Sequence, residues 1–319
     1  MALRMSWRPA LSLLVIHLAA AAQIVSQQGQ PHDPQALDRI EKLIAAGDLQ
    51  EAQAALEAVD SAQRRSARAL LLEAMALHRA GELLPSLEAT QLSLEKDPRN
   101  AAAHKLFGLN VARLGKPELA EPYFRQATLL APADPQGWYY LGVNHVELSR
   151  LEEARQELER ALQLKPDWID AMCALGLAHE LLAEFAEAER LYREAAAVRD
   201  RSTVGPTTPY LYLSRLLSSQ DRSEESVEAT AKAIQASPEG VEEWYEHGRV
   251  LVRAGKFEAA LKALDRAIAL DPHDERPHYQ RMLALKALGR ATEAREAGRA
   301  FARLRQQRGS TQADSSRLP

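Results

Sequence analysis

The side chains with most chemical potential in this 319-residue sequence are two histidines, one cysteine and several acidic doublets. His145 and His179 lie 34 residues apart, with Cys173 between them. A histidine pair invites a metal. Yet 34 is also the interval separating Gly108, Gly142 and Gly176. Equivalent positions of stacked helices are about 8–10 Å apart, and two ligands of one zinc ion must sit much closer than that. The histidines are therefore expected to fill packing positions. Cys173 is the only cysteine, so it can build neither an intramolecular disulfide nor a cysteine-based zinc or iron–sulfur site. Without a partner motif it is expected to pack rather than to attack. Glu152/Glu153 and Glu242/Glu243 read as helix-surface charges. No GxSxG, HExxH, P-loop or GxGxxG string stands in a usable context. No catalytic residue, cofactor or metal is expected.

The elements that would position these residues are helices. Apolar residues make up 46% of the chain, charged residues 26% and aromatics only 5%, with Ala, Leu, Glu and Arg dominant. That vocabulary favours helix and is poor in strand formers. The net charge of −4 argues against a general nucleic-acid binder. The 34-residue interval extends over eight repeats: 33–66, 67–100, 101–134, 135–168, 169–202, 207–240, 241–274 and 275–308. Only the step from the fifth to the sixth carries extra residues, Thr203 to Pro206.

Within a repeat, positions 4, 7, 8 and 11 share one face of a first helix, and positions 20, 24 and 27 share one face of a second. In repeat four these are Trp138, Leu141, Gly142, His145, Ala154, Leu158 and Ala161; in repeat seven, Trp244, His247, Gly248, Leu251, Ala260, Leu264 and Ala267. Gly47, Gly81, Gly115, Gly255 and Gly289 stand at position 15, where the first helix must end. Pro98, Pro132, Pro166, Pro238 and Pro272 stand at position 32 and stop the second. Repeats one, two, six and eight fit less well; repeat two has Ser86 at position 20, and repeat eight has Arg281 and Met282 at positions 7 and 8. Arg295, Arg299 and Arg303, four residues apart on the last helix, read as a solvated cap stripe.

This pattern resembles the tetratricopeptide repeat proteins, over residues 33–308. The resemblance implies an all-α, right-handed superhelical solenoid of about eight hairpins that binds a protein or peptide in its concave groove. It also implies that first-helix positions 2, 5, 6, 9, 12 and 13 line that groove. Carried over, these give an apolar zone with Leu71, Leu72, Met75, Leu106, Leu109, Tyr139, Tyr140, Val143, Cys173 and Leu177. A second zone interleaves Tyr212, Arg215, Tyr245, Arg249, Arg253, Tyr279 and Lys286. A partner with apolar anchors and acidic groups would suit the two zones. The clamp by which some of these proteins hold a C-terminal carboxylate is incomplete: Lys105 is in place, but Leu109 and Tyr140 replace its asparagines.

Residues 1–22 join Arg4 and Arg8 to an apolar run from Leu11 to Leu18 and to Ala20-Ala21-Ala22, the pattern of a signal peptide, with residues 23–32 as a linker. A periplasmic or secreted location follows, with membrane contact only if that segment stays uncleaved; in that case an envelope-assembly factor is the alternative reading. An enzyme is the least favoured. Residues 309–319 are expected to be disordered.

Overall fold

The computed structural model describes residues 35–201 and 206–315. The expected signal peptide and linker, and most of the insertion after repeat five, lie outside the described residues. Within them there is no strand, and seventeen helices follow one another as antiparallel hairpins. Repeat one is α1 (Ala36–Ala46) and α2 (Leu49–Ala58), followed by a single turn, α3 (Ser61–Arg64). Then come α4 (Ala67–Ala80) and α5 (Leu83–Lys96), α6 (Ala101–Arg113) and α7 (Pro117–Leu130), and α8 (Pro135–Glu147) and α9 (Leu151–Leu164). The later repeats are α10 (Ile169–Leu181) and α11 (Phe185–Asp200), α12 (Thr208–Ser219) and α13 (Ser223–Ala236), and α14 (Val241–Arg253) and α15 (Phe257–Leu270). The last pair is α16 (Glu275–Ala287) and α17 (Ala291–Ser315). The chain divides after Leu148 into two compact bodies, so α8 belongs to the first and α9 to the second.

The fold class expected from the period is the one found. Small residues at position 8 do what close packing demands. A Cβ on Gly108 would come within 2.7 Å of the Phe124 ring, and one on Gly176 within 2.5 Å of the Tyr192 ring. At position 15 every repeat turns through the left-handed region: five glycines do so, and Ser149, Ala183 and Asp221 do so with φ of 58°, 61° and 59°. A side chain there is disfavoured by about 1–2 kcal/mol, so those three turns are held by the packing of the helices they join. There is no single core. Each body is a run of small clusters, such as Val111, Ala120, Phe124 and Leu141 in the first and Leu251, Ala260, Ala263 and Leu264 in the second.

Two details exceed the sequence reading. The rings at position 4 serve as caps as well as packing surface. His104 Nε2 donates to the Pro98 carbonyl at 2.9 Å, Trp138 Nε1 to Pro132 at 3.0 Å and Trp244 Nε1 to Pro238 at 2.7 Å. Each satisfies the carbonyl of the proline two residues past the end of the preceding second helix. Position 20 also tolerates a hydroxyl when the hydroxyl is satisfied. Ser86 Oγ donates to the Ala74 carbonyl at 2.7 Å and accepts from Asn110, whose amide oxygen meets His78 Nδ1 at 2.6 Å. Ser226 in the second body likewise donates to the Ser214 carbonyl at 2.9 Å. The last helix departs from expectation: α17 continues through residues 309–315, part of the stretch expected to be disordered. Extending an existing helix avoids the cost of nucleating one.

Candidate functional site

In the first body, α6, α7 and α8 enclose a recess of about 230 Å³. Its walls are Leu109, Phe124, Tyr139, Tyr140 and Val143, with Arg113 and Glu147 at the rim. Phe124 is the buried floor. Tyr140 stacks on it with ring centroids 6.1 Å apart, and Tyr139 meets Tyr140 edge-on at 5.2 Å. The three first-zone residues of greatest interest in the sequence are thus brought together. Neighbours assigned to the same zone are not. Leu71, Leu72 and Leu106 are buried in the core clusters of repeats one to three, and Cys173 is buried beside Met172 and Ala195. First-helix positions 5 and 6 face partly inward where a neighbouring repeat packs close, so they serve stability there. Lys105 is also engaged, with Asp134 and Gln136 both 2.7 Å from its Nζ.

The second-body zone is an ion-pair network. Arg215 and Arg249, expected as cations offered to a ligand, are already paired. Glu246, only 5% exposed in its side chain, accepts from Arg215 at 3.1 Å and from Arg249 at 2.8 Å. Glu242 meets Arg215 at 3.0 Å and Arg276 at 2.9 Å. Arg276 also pairs with Asp274 at 2.8 Å, and its guanidinium lies 4.5 Å from the centre of the Tyr245 ring. Burial and the Glu246 charge push the Tyr245 phenol upward. Tyr212 stacks on Tyr192 at 5.3 Å and is half-buried; desolvation raises it as well. Arg253 pairs at 2.9 Å with the highly exposed Asp221. Tyr279 is exposed beside Phe301, at 5.3 Å, and Lys286 is exposed with no ion pair among the described residues. The sequence does carry a signal for this pairing: Glu242 and Glu246 occupy groove positions 2 and 6 of repeat seven, among the same positions as the cations.

The remaining candidates have ordinary surroundings. Burial pushes the Cys173 thiol up to about 12, so it is not a thiolate near neutral pH. His179 Nδ1 lies 2.5 Å from Glu184, and the buried His145 lies 3.5 Å from Glu121. Among the described residues no helix is long and apolar enough to cross a membrane.

Residues 105–167 match a tetratricopeptide repeat family, and residues 248–289 match a second family described as TPR repeat. Over 90 residues the chain is 28% identical to the Cell division cycle protein 27 homolog of Caenorhabditis elegans, a stretch that is 28% of this chain and 11% of that protein. Among solved structures it resembles the APC/C hetero-tetramer Cut9–Hcn1, at 14% identity and a TM-score of 0.65. That match covers 85% of this chain and 52% of the other. It also resembles a tetratricopeptide repeat protein from Parabacteroides merdae, at 15% identity and a TM-score of 0.60, covering 79% and 98%. At such identities the likeness concerns the fold. The chain carries tetratricopeptide repeats, and its all-helical architecture is the superhelical repeat fold they build.

Proposed function

We propose that the chain is a non-catalytic protein-interaction scaffold, and that its first body takes an apolar side chain of a protein or peptide partner into the recess of Tyr139, Tyr140 and Val143. Repeats of this type commonly bind proteins or peptides. The observation that carries the reading is the recess itself: aromatic walls open to solvent on first helices, with one cation and one carboxylate at the rim. Its volume of about 230 Å³ falls below the roughly 300–1,000 Å³ of small-molecule sites and suits a single anchoring side chain. Tyrosines present large area at low entropic cost.

The second body offers a separate polar zone in this reading. Its cations at Arg215, Arg249 and Arg276 are compensated, which leaves Lys286, and Arg253 by exchange of its highly exposed partner Asp221, to meet a partner's acidic groups. We further propose that the chain is exported, on the strength of Arg4, Arg8 and the apolar run that follows; a mature N-terminus beginning after Ala22, measured by mass spectrometry, tests this.

The test of the recess is capture of a partner from an envelope extract by the wild-type chain and by Tyr140→Ala. The variant should lose the partner while keeping its helical circular dichroism. Retention of the same partner by Tyr140→Ala would place the site elsewhere.

A further inference from the structure

The first hairpin carries an open seat of its own, part apolar and part charged, lined by residues of repeat one alone. Ala36, Leu43, Ala55 and Val59 line a groove of about 450 Å³ floored by Ile40, and Arg39, Glu51, Asp60 and Gln63 supply its polar lining. Ala36, Arg39 and Leu43 stand at positions 4, 7 and 11. At interior junctions those positions receive the second helix of the preceding repeat. Leu87 clusters with Phe107 and Val111, and Val227 with Trp244 and Leu251. The α15–α16 junction gives the closest parallel, because it too has an arginine at position 7. There Leu261 packs with Leu285, and Asp265 pairs with Arg281 at 2.7 Å. Arg39 is the counterpart of Arg281, and Leu43 of Leu285.

We propose that this seat binds an amphipathic helix of a partner protein, one that places an apolar side chain against Leu43 and, four residues later, a carboxylate against Arg39. The partner helix is then of the kind α15 represents, with Leu261, Asp265 and Ile268 along one face. The chain's own last helix does not qualify. Its residues at the corresponding places are Arg295 and Arg299. In a second copy docked end to end, Arg299 would face Arg39, and Arg295 would be pressed unpaired against Leu43, where burial of a lone charge is costly. The seat is separate from the recess of the first body, so the two readings stand or fall independently.

A synthetic peptide with the sequence of residues 257–270 is the probe, titrated into the full chain by fluorescence anisotropy. The wild-type chain should bind it. Asp265→Lys in the peptide, or Arg39→Asp in the chain, should each weaken binding at least tenfold, and the two together should restore it. Arg39 is exposed, so the change should leave the fold intact. The proposal is overturned if the wild-type peptide does not bind, or if its binding survives Arg39→Asp. It is equally overturned if the chain without peptide assembles end to end in sedimentation velocity, since a second copy would then fill the seat.

Discussion

The first body and the second present their first helices in opposite styles. Around α8 the exposed side chains are aromatic rings standing over a buried phenylalanine, and the charges keep to the rim. Around α14, positions 6 and 9 hold Glu246 and Arg249 instead, part of a set of carboxylates and arginines that neutralise one another across three helices. The scaffold beneath is alike in both. The difference teaches that in a repeat array the period determines where a side chain sits, while its neighbour one repeat away determines whether it is available. A tyrosine beside a tyrosine leaves a recess; an arginine beside a glutamate leaves a closed pair.

That contrast can be broken from the aromatic side with the largest effect. Phe124→Ala removes the floor of the recess and should cost about 3–5 kcal/mol, read as a lower urea midpoint. A loss under about 1 kcal/mol would mean that the ring is not the keystone its 2% exposure suggests. On the charged side, Glu246→Ala takes the carboxylate from Arg249 and leaves Arg215 only Glu242, and should cost about 1–2 kcal/mol. A double-mutant cycle with Arg249→Ala should recover part of that loss; strict additivity would deny the coupling.

A smaller effect sharpens the comparison of the polar interiors. His247 meets Thr230 at 2.8 Å, and burial holds its imidazole below the ordinary value of 6.5. Below that value the unfolded chain takes up a proton that the folded chain resists, so stability falls as pH drops from 6.5. His247→Gln should flatten this slope in denaturant titrations at a series of pH values. Smallest of all, Arg253→Ala should change stability by less than about 0.5 kcal/mol, because its partner Asp221 is 88% exposed. A larger loss would show that this pair, too, belongs to the closed network.

The fold was legible because its signals are local and repeated. Glycine at position 15, proline at 32 and small residues at 8 and 20 each report a backbone constraint that one residue satisfies by itself. The site was legible in part. Tyr139, Tyr140 and Val143 could be read as neighbours since they lie on one helix face. Arg215 and Glu246 are 31 residues apart, and their pairing depends on how closely α12 and α14 approach, a quantity that no spacing rule supplies. The burial of Leu71, Leu72 and Leu106 escaped for the same reason. Groove and core share helix positions, and the packing of the neighbouring repeats decides between them.

The indole-to-proline bonds at the repeat junctions make the molecule its own spectrometer. Trp138 reports from the first body and Trp244 from the second, each tied to the proline carbonyl that follows the helix before it. An indole released from such a bond into water emits at longer wavelength. With the other tryptophans replaced by phenylalanine, the emission of the one retained would therefore follow the opening of a single junction. Local fraying of one body could then be followed while the rest of the array stays folded.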